Sequence, residues 1–293
     1  MKVAVAANPH KPLALDLARR AVGRLRDRSE VWLAAETQAL LGLDRPSAPL
    51  EDLVVDAILA IGGDGTFLYA LQRNPAPLLP INAGTVGFLA EVDGANTDAF
   101  DGAVDRLLNG RYFVESRMKL ASQVGSANLP DATNEVVVHT SQVAKMRLFE
   151  IGVDGRPVGR IRADGIILAT PTGSTSYSLS ALGPILDPGV EGIVVTALAP
   201  FQASQRAVVL DPLRTVSIRL VTPEKDGVVV IDGQNESRLA AGGTVVTYRS
   251  PRRAEFLRFG SRFLRRLQGK HILPWGEEVD GGPQDDADLP SPA

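Results

Sequence analysis

One stretch constrains the fold more than any other. A mostly apolar run over 54–61 empties into Gly62-Gly63-Asp64-Gly65-Thr66, and Phe67, Leu68 and Leu71 follow at helical spacing. The run predicts a buried strand and the spacing predicts a helix, so three glycines and an aspartate stand between them. In an open α/β sheet, ligands bind at the carboxyl ends of strands, beside helix N-termini. Glycines let the backbone come close to a phosphate with its N–H groups turned inward. Asp64 would repel a phosphate held directly, which leaves it two roles: a base toward a hydroxyl, or a metal ligand. Asp-Gly also marks hairpin turns, so by itself the motif is equally a tight turn with a solvated aspartate.

The 293 residues suffice for one large domain or two smaller ones. A net charge of -3 gives no basic footprint for nucleic acid. The absence of cysteine excludes disulfides, thiolate catalysis and cysteine-ligated zinc. Met1 to Ala7 is too short an apolar run for a signal peptide, and no apolar segment approaches the ~18 residues of a membrane span. The expectation is a soluble, cytoplasmic protein with no nucleic-acid or membrane partner.

Along the first part, strands are expected at Lys2 to Ala6, Glu30 to Ala35, 54–61 and Leu78 to Asn82, with Pro80 suggesting a sheet edge or an irregular start. Leu13, Leu17, Ala21 and Leu25 predict a helix over 12–27 with one apolar face, and Asn96 is placed to cap a helix that ends at Asn109-Gly110. Strands alternating with helices imply a parallel sheet. The pattern changes after Gly110. Short segments rich in Val, Ile and Leu recur at 112–124, 134–140, 146–153, 164–170, 193–198, 215–221, 227–232 and 244–250. Turn residues such as Asp154-Gly155 and Gly242-Gly243 separate several of them, which suggests an antiparallel sandwich. Helical spacing returns from Arg258 to Leu267. The domains are thus expected at 1–110 and 111–250, with a C-terminal segment at 251–275 packing on the first and an acidic, disordered tail at 276–293.

Two further segments bear on chemistry. Thr133-Asn134-Glu135 opens a strand; Asn and Glu side by side can donate and accept, which suits an adenine edge or ribose hydroxyls, although a strand-entry turn has the same composition. From Arg162 through Asp164-Gly165, an apolar strand runs into Thr170-Pro171-Thr172-Gly173-Ser174-Thr175-Ser176-Tyr177-Ser178-Leu179-Ser180. So many hydroxyls in one loop can line a polar pocket at a helix start.

These residues together resemble the NAD kinase family. Gly62-Gly63-Asp64-Gly65, Asn134-Glu135, and Asp164-Gly165 followed by Thr170 to Thr175 look like three of its signatures in order and spacing, and Asp232-Gly233-Gln234 fits a weaker fourth. The run Phe263-Leu264-Arg265-Arg266-Leu267 looks like the family's end, and the likeness covers roughly 2–275. The resemblance implies an N-terminal Rossmann-like α/β domain, then a β-sandwich, the active site between them, and a C-terminal helix returning to the first domain. It implies ATP-dependent phosphorylation of the 2′-hydroxyl on the adenosine ribose of NAD, a divalent metal, normally magnesium, and a homodimer or homotetramer. By position, Asp64 is the base, flanked by Gly62, Gly63 and Gly65. Asn134 and Glu135 hold the adenosine. Arg162, Asp164, Thr175, Ser176, Tyr177, Ser178, Leu179, Ser180 and Gln234 line the dinucleotide site, and Lys145 falls where the family often has a basic or polar contact residue.

The sequence departs from the family in places. Phe201 stands where many members have a histidine, Tyr69 where some have an arginine near the phosphates, and Ser176 where alanine is usual. No Walker sequence with its lysine is present. A lipid kinase sharing the glycine loop would need an apolar entrance for acyl chains, and a non-catalytic NAD-binding sensor would not need Asp64.

Overall fold

The computed structural model describes residues 1–85, 87–142, 144–221, 225–260, 263–270 and 272. The expected tail, 276–293, lies outside the described residues. The chain forms two compact units, Met1–Glu115 with the chain from Glu255 onward, and Ser116–Ala254.

In the first unit, β1 (Lys2–Ala7), α1 (Pro12–Leu25), β2 (Glu30–Ala34), α2 (Ala35–Leu41), β3 (Ser47–Ala48), β4 (Ala57–Gly62), α3 (Asp64–Arg73), β5 (Leu78–Asn82), β6 (Val92–Asp93) and α4 (Thr97–Leu108) follow in order. The strands form a parallel sheet in the order β5-β4-β1-β2-β3, with β6 beside β5. β4 is buried along its whole length, as its apolar sequence requires. It starts at Ala57 rather than at 54; Val54 lies outside the strand and is 86% exposed.

The expected helices form, with one change of face. α1 buries Ala14, Leu17, Ala18, Ala21, Val22 and Leu25, the set a 3.6-residue period selects, whereas Leu13 is exposed. Asn96 caps α4, its side chain accepting from the Ala99 N–H at 3.0 Å. Pro80 is not at an edge: β5 pairs with β4 on one side and β6 on the other. The Pro80 carbonyl accepts from the Glu91 N–H on the β6 side, so the nitrogen that lacks a hydrogen also faces the short β6. Fully buried Phe67, Phe100, Leu33, Leu59 and Ile81 each contribute about 1.5–3 kcal/mol.

The second unit is antiparallel. It contains β7 (Phe113–Val124), which begins in the first unit, β8 (Ala127–Asn128), β9 (Glu135–Thr140), β10 (Arg147–Val153), β11 (Arg156–Ala163), β12 (Gly165–Ala169), a short α5 (Tyr177–Ser180), β13 (Ile193–Leu198), β14 (Val208–Leu210), β15 (Val216–Leu220), β16 (Gly227–Ile231), β17 (Asn235–Leu239) and β18 (Thr244–Arg258). One sheet runs β11-β10-β15-β18 and the other β14-β13-β12-β9-β16-β17. Alternation divides the central strands between two apolar clusters. Val136, Val138, Ile166 and Leu168 pack with Phe149, Ile218 and Val229, while Val137, Ile167 and Ala169 pack with Leu186, Val194 and Leu198.

The C-terminal reading needs one correction. β18 continues through Arg258 as a strand, Phe256 lying beside Leu78 of β5, and helix α6 spans Phe263–Gly269 rather than starting at Arg258. The apolar pair Phe256-Leu257 is buried in strand conformation, and the strand runs on into Arg258, where the helical spacing was read to begin.

Candidate active site

In the first unit, β1, β4 and β5 lie side by side and present their carboxyl ends together. Gly63 is the N-cap of α3 and Asp64 its first residue. The Asp64 carboxylate accepts two backbone hydrogen bonds, from the Phe88 N–H at 2.8 Å and the Leu89 N–H at 3.2 Å. Both residues are held from behind by arginines. The Phe88 carbonyl accepts from Arg266 at 2.8 Å, and the Leu89 carbonyl accepts from Arg258 at 2.8 Å. The Phe88 carbonyl and the Leu89 N–H belong to one peptide group, so Arg266, that peptide and Asp64 form a continuous hydrogen-bond chain. Arg258 also pairs with the buried Glu91 at 3.2 Å and with Glu115 at 2.7 Å. The C-terminal return therefore fixes the loop that holds Asp64. Tyr69, one turn along α3, donates to Glu36 at 2.7 Å and lies under the Arg73 guanidinium.

In the second unit, the Thr133-Asn134-Glu135 turn is built on one carboxylate. Asp232 accepts from the N–H groups of Thr133, Asn134 and Glu135 at 2.9, 2.8 and 3.1 Å. Asp232 and Gly233, with φ of 50° and 66°, form the hairpin turn between β16 and β17. Behind this turn lie the buried Lys119 and Asp131. Burial pushes the Lys119 ammonium below its ordinary range, against the pull of Asp131 and Asp232.

Three polar atoms of the turn, Thr133 Oγ1, Asn134 Oδ1 and Glu135 Oε2, are buried with no hydrogen-bond partner among the described residues. Glu135 is only 5% exposed. Burial first, and the Asp232 carboxylate second, push its carboxyl up to about 8, although the Ser176 hydroxyl and the Tyr177 backbone pull it the other way. Burial thus favours the protonated form of Glu135, in which it can act as a donor.

The hydroxyl-rich loop wraps this turn. Thr170 donates to the Thr133 carbonyl at 2.6 Å, and its N–H bonds the Asn134 carbonyl at 2.9 Å. A Cβ at Gly173 would collide with the Asn134 backbone, so only glycine fits there. Thr175 and Ser178 are buried and bonded inward, Thr175 to the Thr172 carbonyl and Ser178 to Thr196. Ser176 reaches Glu135 at 3.4 Å; Ser176 and Leu179 are half-buried, and Tyr177 and Ser180 are exposed. Asp164 is half-buried between β11 and β12, its carbonyl bonded by the Thr140 N–H and its N–H by the Leu198 carbonyl. Arg162, Lys145 and Gln234 are exposed. Phe201 is exposed too, its N–H bonded to the Arg162 carbonyl. The first unit thus carries Gly62, Gly63, Asp64 and Gly65; the second carries every other candidate site residue. Sequence reasoning passed over Asp232 as a site residue, and the Arg258 and Arg266 clamp, because each acts on backbone far away along the chain.

A glycine loop at the ends of parallel strands, with a turn of unpaired buried donors and acceptors, defines a nucleotide-binding protein. The models of the ATP-NAD kinase N-terminal and C-terminal domains match residues 3–112 and 133–259, and the chain belongs to the ATP-NAD kinase family. It is similar to an NAD kinase of Methanothermobacter thermautotrophicus, 38% identical over 286 residues, covering 96% of this chain and 100% of the relative. It is also similar to an NAD kinase of Methanopyrus kandleri, 40% identical over 259 residues, covering 87% and 91%. Among solved structures, an NAD kinase from Archaeoglobus fulgidus in complex with ATP matches with a TM-score of 0.74 and 30% identity, covering 92% of this chain and 98% of that one. Yeast NADH kinase complexed with NADH has the same fold, with a TM-score of 0.85 over 96% of this chain and 90% of that one, at 22% identity. These neighbours are NAD and NADH kinases, not lipid kinases. No helix among the described residues is long and apolar enough to cross a membrane.

Proposed function

We propose that the chain transfers the terminal phosphate of ATP to the 2′-hydroxyl on the adenosine ribose of NAD, giving NADP and ADP. The observation that carries this reading is the presence, one in each unit, of two carboxyl groups in contrasting surroundings. Asp64 accepts two backbone N–H bonds at a glycine loop, and Glu135 is buried, which favours its protonated form, beside unpaired polar atoms. Asp64 serves as the base: it takes the 2′-hydroxyl proton as the oxygen attacks the γ-phosphorus and the bond to the ADP oxygen breaks. Phosphoryl transfer runs through a loose transition state, so late proton removal suits a carboxylate and most of the catalysis is positioning.

Asn134 and Glu135 hold the adenosine, Asn134 Oδ1 accepting and the Glu135 carboxyl donating. Arg162, Asp164, Ser176, Tyr177 and Gln234, together with the backbone of the 175–180 loop, line the rest of the dinucleotide site, with Lys145 an exposed basic contact. The described residues hold no group of three or more His, Asp or Glu side chains that could bind a metal. A magnesium ion would be held chiefly by the ATP phosphates and water, its usual mode, and Asp64 is the carboxylate that could join them. It would neutralise phosphate charge.

The enzyme is further proposed to be a cytoplasmic homodimer or homotetramer. The edge strand β14, with exposed Val208 and Val209, supports the oligomer as surface in need of cover. Light scattering at micromolar concentration that returns only monomer would reject it. The activity is tested by incubating the chain with ATP, magnesium and NAD and reading NADP with an NADP-specific dehydrogenase. We expect NADP that depends on all three; ATP consumed without NADP would point to another acceptor.

A further inference from the structure

The glycine loop lacks the lysine that a Walker sequence would bring to a triphosphate, and a second loop brings one instead. Beyond β1, Asn8 is tied to the glycine loop twice. Its N–H bonds the Ile61 carbonyl at 2.8 Å, and its Nδ2 donates to Thr66 Oγ1 at 3.0 Å. Its own Oδ1 accepts from the His10 N–H at 2.9 Å. This turn delivers Lys11, the N-cap of α1, which Pro12 starts. The half-buried Lys11 side chain lies over the loops that follow β4 and β5. A Cβ built at Gly63 would stand 3.4 Å from Lys11 Nζ, and one at Gly84 2.8 Å from it. Gly84 has φ of 144° and is held by Asn82, whose Nδ2 donates to its carbonyl at 2.6 Å. The two glycines leave open the space the ammonium occupies. Among the described residues, Lys11 has no carboxylate partner. A half-buried ammonium without a counter-ion, above the N-terminus of α3, is a ready partner for a polyanion.

We propose that Lys11 is a substrate-contacting residue whose ammonium pairs with the triphosphate of ATP at the glycine loops. The proposal rests on the reading that ATP is the phosphate donor. Gly63 and Gly84 then serve the lysine as well as the phosphate: a methyl group at position 84 would push the ammonium away.

The absence of cysteine from the chain makes a direct test available. In Lys11→Cys the new thiol is the sole one, and its thiolate displaces bromide from 2-bromoethylamine to give a thioether analogue of lysine with the ammonium restored. Iodoacetamide gives a neutral adduct of similar length. We expect Lys11→Cys to weaken ATP binding, measured by calorimetry, about tenfold or more, with the KM for NAD changed less than about twofold. Aminoethylation should recover ATP affinity and the neutral adduct should not. Unchanged ATP affinity, equal recovery with both adducts, or a loss confined to NAD would overturn the proposal. Should Lys11→Cys melt early, Lys11→Gln gives the same comparison of ATP with NAD. If the wild type binds ATP but makes no NADP, the reading of the acceptor fails, while the ATP affinities still decide for or against Lys11.

Discussion

The two units use a carboxyl group in opposite ways. Asp64 sits half-buried at the start of a helix, with two backbone N–H groups turned onto it and Gly87 close against its carboxylate. Glu135 is buried, keeps one oxygen unpaired, and has the Asp232 carboxylate for a neighbour. Burial and a like charge favour a neutral, donating carboxyl at Glu135. Replacing either by its amide is nearly the same change in shape, yet it removes a basic oxygen at Asp64 and, at Glu135, a carboxyl that burial already holds toward its neutral form.

The largest expected effect is on Asp64. Asp64→Asn should lower turnover by about two orders of magnitude or more, with NAD affinity retained, because the base is lost and the adenosine contacts are not. The melting temperature should drop as well: an amide has one oxygen for two N–H groups, and an unmet bond is worth about 1–3 kcal/mol. Extra magnesium that partly rescues the variant would mark Asp64 as a metal ligand rather than a base.

Next comes the foundation of the second site. Asp232→Ala leaves three N–H groups of the 133–135 turn without their acceptor and removes a counter-charge near Lys119. We expect the KM for NAD to rise about tenfold or more while the KM for ATP holds, with a stability loss of several kcal/mol. Equal loss for both substrates would mean that Asp232 supports the whole unit rather than the turn.

A third effect separates the carboxyls by pH. The Glu135 carboxyl is raised from an ordinary 4.5 to about 8, so the unfolded state ionises first. The stability due to the proton is complete below about pH 4.5 and is lost as pH rises through about 8, at about 1.4 kcal/mol per unit of pKa difference. Glu135→Gln, which cannot ionise, should flatten the fall in melting temperature between pH 5 and pH 8.5. An unchanged slope would show that Glu135 is already ionised.

The smallest effect concerns the clamp. Arg266→Ala should lower kcat a few-fold with both KM values unchanged, and Arg266→Lys should restore part of it; the variant leaves Glu91 paired with Arg258. A changed KM for NAD would place the clamp's influence elsewhere.

Much of this was legible in the sequence, for identifiable reasons. The strand, glycine loop and helix around Asp64 follow from local pattern, because a fully buried strand must be apolar and a helix must repeat. The alternating segments at 193–198 and 227–232 announced themselves in the same way. β11, β14 and β17 did not: β11 and β17 carry Arg160, Arg162, Glu236 and Arg238 outward at or near sheet edges, and β14 is three residues long. The strand through Phe256 was missed because its pairing with Leu78 is tertiary. Asp232 bonds residues 97 to 99 positions away, and Lys11 meets glycines of two other loops. Nothing in local composition marks either side chain.

The contrast between the two carboxyls is tested most directly by one paired assay. NADP formation is measured for Asp64→Asn and Glu135→Gln side by side, at saturating ATP and NAD and at neutral pH. We expect the first to fall about a hundredfold or more and the second to stay within a few-fold of the wild type. Near-normal turnover of Asp64→Asn, or an equal collapse of both, would contradict the assignment of base and neutral donor on which the proposed reaction stands.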